Sequence, residues 1–130
     1  MRRLLALLAL FATPALAVTV DRIAATVDRQ VLTVSEITQL VEIRFFARTA
    51  ESDDDHRHDV LDALIAQALR YRDVERFGAQ DLSADVIEAR LLEIQHRFPT
   101  DAEFQAAVAR AELTLDEVRA LVKRQLQVEA

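Results

Sequence analysis

The chain has 130 residues, no cysteine, one glycine and two prolines; it is 52% hydrophobic and carries a formal net charge of −6. Without cysteine it can form neither a disulfide nor a thiolate zinc site, and its acidic balance disfavours nucleic acid or an anionic membrane surface as a partner. Its apolar content and its wealth of Ala, Leu, Arg and Glu belong to an ordered, helix-rich chain of one domain's length.

Met1-Arg2-Arg3 is a short cationic start, Leu4 to Ala12 is an apolar run broken by Pro14, and Ala15-Leu16-Ala17 places small residues where a signal peptidase reads. That order is a secretory signal, with Ala15 and Ala17 marking cleavage after residue 17. The apolar run falls short of the roughly 20 residues needed to span a bilayer. The expected organisation is therefore a signal peptide at 1–17 and one domain at 18–130, periplasmic, with no stable membrane anchor after cleavage. Loss of Arg2 and Arg3 would lower the charge of that domain to −8.

Ile23, Ala25 and Val27 alternate with Ala24, Thr26 and Asp28, and Val31-Leu32-Thr33-Val34 follows after a short break. This period of two predicts a small hairpin that needs a helical layer to cover it, although its turn lacks an Asn-Gly or Asp-Gly pair. A first helix is predicted from Thr33 or Ser35, with Ile37, Leu40, Val41 and Phe45 on one face and Ile43 and Phe46 extending it, fading near Ala50. The acidic run Glu51 to Asp55 precedes a second helix reaching about Phe77. Its stripe is Leu61, Leu64, Ile65, Ala68, Tyr71 and Val74, and Gly78 stands where a left-handed cap belongs. Ser83 opens a third helix carrying Ile87, Leu91, Ile94 and Phe98, ended by Pro99. Thr100/Glu103 and Thr114/Glu117 read as capping boxes opening the fourth and fifth helices. The fold class is mainly α: a short N-terminal β-hairpin followed by a bundle of about five helices.

Little in this pattern carries chemistry. Asp53-Asp54-Asp55-His56-Arg57-His58 has metal-ligand residue types, but on a helix His56 and His58 point about 200° apart. The run reads better as a solvated acidic helix start. His96 has no acid or nucleophile partner in sequence, and Asp116-Glu117 is explained by capping. Ser35, Ser52 and Ser83 sit at helix starts or in linkers without a nucleophile-elbow pattern. A single glycine allows no glycine-rich phosphate loop. No catalytic, cofactor-binding or metal residue is assigned, and no cofactor is expected.

The hairpin Ile23 to Asp28 with Val31-Leu-Thr-Val-Ser-Glu-Ile37, the helix with Val60-Leu-Asp-Ala-Leu-Ile65 closing in Phe77-Gly78, and then Leu82-Ser83, Phe98, Phe104 and Leu113 to Leu121 come in a telling order. In this order the chain resembles the N-terminal chaperone domain of SurA-type periplasmic foldases, relatives of PpiD and PrsA. The resemblance implies binding of unfolded outer-membrane or secreted polypeptides without ATP. Many members add parvulin-type prolyl isomerase domains; this sequence contains no such segment, so isomerase activity is not carried over. The alternatives are the recruiting fragment of such an isomerase, or a dimerisation or adaptor module acting as a homodimer.

Under the resemblance the apolar residues become the candidate site. Apolar positions on more than one face of the first helix are either all buried or leave one face open as a groove for a client or partner. Ile43, Phe45, Phe46, Phe98 and Phe104 are the candidate groove residues.

Overall fold

A computed structural model describes residues 20–130, so the predicted signal and its Ala15/Ala17 cleavage site lie outside the described residues. The element order is β1 (Ile23–Val27), β2 (Gln30–Thr33), α1 (Val34–Glu42), α2 (Asp53–Phe77), α3 (Ala84–Gln95), α4 (Asp101–Arg110) and α5 (Leu115–Glu129). This is the predicted hairpin followed by five helices. The strands pair antiparallel, with Ala25 opposite Leu32 and Val27 opposite Gln30, and the register shifts between Ile23 and Ala25. Asp28 takes φ 53° in the turn, a conformation aspartate adopts more readily than most residues. The strand alternation points Leu32 into the core, where it is buried.

Side-chain caps set most of the helix starts. Thr33 accepts from the Glu36 amide while its own amide donates to the Glu36 carboxylate at 2.7 Å, a full capping box. Thr114 and Glu117 repeat it on α5. The Thr100/Glu103 pair forms only half of the expected box: Thr100 accepts from the Glu103 amide, but Glu103 turns to the Thr100 hydroxyl instead of its amide. Ser83 precedes α3 without making a side-chain cap. Gly78 has φ 96° and ψ 140°, so it uses glycine's freedom at positive φ without adopting the left-handed helical cap expected of it.

The first helix is shorter than its periodicity suggests. It stops at Glu42, not near Ala50, because the Phe45 amide donates to the Leu40 carbonyl and the Arg44 amide to the Val41 carbonyl. These two bonds, with Arg44 at φ 50°, make a Schellman ending. α4 closes identically through Leu113 to Val108 and Glu112 to Ala109, with Glu112 at φ 57°. Glycine is the usual residue at such a position, and a left-handed side-chain residue costs about 1–2 kcal/mol. Glu112→Gly should therefore raise stability by about 0.5–1 kcal/mol after the added unfolded-state entropy is subtracted. Urea midpoints check this; a lower midpoint would show that Glu112 is not strained.

α2 is the central element, packing against the hairpin, α1 and α5, while α3 lies on α5 and α4 on α1. One apolar core joins these layers, with Leu32, Ile43, Val60, Ile94, Phe104, Val118 and Val122 its most deeply buried large side chains. Polar clasps fix the layers around it. Gln39 donates to the Ala111 carbonyl at 3.0 Å, Arg110 meets Glu42 at 2.6 Å, and Arg119 joins Glu88 at 2.6 Å.

Candidate functional site

Four of the five predicted groove residues are closed into the core, and Phe46 borders an open cavity. Ile43, Phe45, Phe98 and Phe104 belong to the buried core, and Phe46 is half-buried with its ring 5.0 Å from Phe45. The reason is local. Because α1 ends at Glu42, Ile43, Phe45 and Phe46 leave the helix, and the two-faced wheel drawn through them does not exist. The loop folds Ile43 and Phe45 inward. Phe98 likewise lies beyond the end of α3, in the turn before Pro99, and packs edge-on to Phe104 with ring centroids 5.6 Å apart.

Exposed apolar surface lies elsewhere. Phe77, the last residue of α2, is 79% exposed, and Ile23 at the start of the hairpin is 66% exposed. Leu69, Val86, Leu92 and Val31 are also exposed. Leu69 continues the i, i+4 row of Leu61 and Ile65, which are partly buried against the core. The row thus emerges from the core toward the free end of α2. That spacing was present in the sequence. Phe77 falls two steps further along the same row, past Asp73, but an aromatic beside a helix-ending glycine is compatible with burial or exposure. A ring left open costs water-exposed apolar area that a partner would remove, about 1.5–3 kcal/mol for full burial of one such side chain.

A second feature sits between the hairpin turn, α2 and α5. A cleft of about 970 Å³ is bordered by Val27, Asp28, Tyr71, Arg72, Glu75 and Arg124, among others. Arg72 bridges to Asp28 at 2.9 Å across it. Arg124 stacks over Tyr71 at 4.1 Å and donates to Gln30 at 2.7 Å, while its Nε is buried without a partner. Gln67, also buried, donates to Gln125 at 2.6 Å near the same layer. The cleft mixes charged side chains with the apolar Val27, Val31 and Ala68.

The helix-start cluster is solvated as read at Asp53, Asp54, Asp55 and His58, and departs from that reading at His56. His56 is buried, whereas His58 is exposed with Nδ1 3.0 Å from the Asp54 carbonyl oxygen. His96 lies on the surface. Among the described residues no three His, Cys, Asp or Glu side chains come together as a metal site.

One titration links charge to the fold. Arg90 grips Glu129 at 2.9 and 3.2 Å, and this bond holds the Glu129 carboxyl below its ordinary value against the opposing effect of burial. A depressed folded-state value stabilises above the unfolded-state value, and that contribution is lost as pH falls through the folded one. Glu129→Gln should therefore make stability less sensitive to acid between neutral pH and about pH 3. Urea midpoints at the two pH values check it; an unchanged difference between them would show the pair to be uncoupled from folding.

The described residues thus define a hairpin-capped helical bundle with an exposed apolar helix end and a charged cleft. Its sequence is similar to that of Chaperone SurA from Saccharophagus degradans, 30% identical over 120 residues, which cover 88% of this chain. The matched part is only 28% of that relative's length. No protein-family model matches the chain, and no solved structure matches it significantly. Among the described residues no helix is long and apolar enough to cross a membrane.

Proposed function

We propose that this chain is a chaperone-like module that holds unfolded outer-membrane or secreted polypeptides in the periplasm without ATP. The similarity to Chaperone SurA along 88% of the chain carries this reading. The exposed apolar side chains support it: Phe77 and Leu69 offer shallow contacts that a non-native segment could cover. Shallow contacts suit a holder, because they are too weak singly to trap a client and sum over an extended one. The acidic charge keeps an apolar-bearing surface soluble.

A photo-crosslinking side chain placed at Phe77 tests the location. It should form adducts with a diluted unfolded porin, whereas the same group at the exposed Glu103, on α4, should not. Equal adducts at both positions would remove the α2 end as the client surface.

A further inference from the structure

The loop after α1 and the corner between α3 and α4 border a cavity of about 470 Å³ whose wall carries three guanidiniums and an imidazole but no carboxylate. Arg44, Arg48, Arg97 and His56 form its polar side; Val41, Phe46 and Ala47 form its apolar side. The three arginines differ. Arg48 is fully engaged, pairing with Asp53 at 2.7 Å and donating to the Ala50 and Glu51 carbonyls. Arg44 and Arg97 instead donate to each other's backbone carbonyl oxygens, and Arg97 also to that of Phe45. Among the described residues neither is paired with a carboxylate.

Those carbonyl bonds fix the two guanidiniums in place without a direct salt bridge to either. Burial pushes the Arg97 guanidinium down from its ordinary value, against the smaller opposing pull of the Glu93 carboxylate. Beside them His56, 6% exposed, borders the cavity through its ring, while its Nδ1 is buried away from it. Fixed cations and an apolar wall meet in a volume that suits one blocked amino acid.

We propose that this cavity binds the carboxylate of an amphiphilic ligand, as presented by a polypeptide C-terminus with an apolar last residue. Arg44 and Arg97 would take the carboxylate, and Phe46 and Val41 would receive the apolar side chain. The carboxylate site stands on this geometry alone. Only the identification of its ligand as a client terminus rests on the chaperone reading.

The test is an NMR titration of the 130-residue chain, following the Arg44 and Arg97 Nε–H signals and the His56 ring. The probes are N-acetylphenylalanine, its amide, and inorganic phosphate. N-acetylphenylalanine should shift these signals with a Kd on the order of 1 mM, and the amide should bind at least about tenfold more weakly. Arg44→Gln should weaken the acid by about tenfold as well. Arg44→Gln gives up one carbonyl bond and the stacking on Phe98, so its urea midpoint is read beside the titration; an Arg97 variant, losing two carbonyl bonds, risks loosening the loop further. Equal binding of acid and amide, phosphate binding as tight as the acid, or shifts confined to other residues would each overturn the proposal. Carboxylate-selective binding by a chain that fails to hold unfolded clients would keep the site and reject the chaperone reading.

Discussion

Phe104→Ala is expected to cost about 3–5 kcal/mol, the largest loss from any single truncation proposed for this fold. The side chain has no solvent exposure and is among the largest fully buried groups. It packs edge-on to Phe98, on whose ring the Arg44 guanidinium rests at 4.4 Å. Truncation therefore opens a cavity where α4 meets the turn before Pro99 and slackens the loop beside it. A domain of this size has only about 5–15 kcal/mol of stability, so the variant should melt on the order of 10–20 °C lower. Phe46→Ala, at a half-buried position, should cost clearly less. Urea unfolding followed by circular dichroism measures both. A Phe104→Ala loss below about 1 kcal/mol would mean that the site collapses freely and that α4 is not anchored as described.

The second large effect is functional. Replacing Leu69 and Phe77 together by serine should reduce the protection of an unfolded client about tenfold or more, while costing no more than about 1–2 kcal/mol of stability, chiefly at the half-covered Leu69. The two side chains are exposed, so the folded chain alone gains little from them. A client that covers them would gain the burial that the isolated chain forgoes. The comparison uses the concentration of chain needed to halve aggregation, with the urea midpoint as control. Unchanged protection would place the client surface elsewhere; a large fall in stability would show that these side chains serve the core.

The architecture was more legible in the sequence than the surface. Thr33/Glu36 and Thr114/Glu117 announce helix starts through bonds made within four residues, so local chemistry alone places them. The hairpin was readable for a similar reason, since alternation decides which side of Leu32 is covered. The end of α1 was not readable. Its Schellman closure places Arg44 where glycine is usual, and the apolar pattern runs on through Ile43, Phe45 and Phe46 as if the helix continued. That pattern is apolar because the loop itself is buried, a tertiary fact that no helical wheel contains. His56 misleads in the opposite direction: its acidic neighbours face solvent, while it alone turns inward. Whether Phe77 is covered depends on which elements reach the end of α2, which is again set by packing across the fold.

The central claim is that this chain holds non-native polypeptide, and light scattering of a diluted unfolded porin tests it most directly. A several-fold molar excess of the chain should suppress the scattering without ATP, and the Leu69/Phe77 double serine variant should not. Undiminished scattering at that excess, from a chain shown to be folded, would contradict the account.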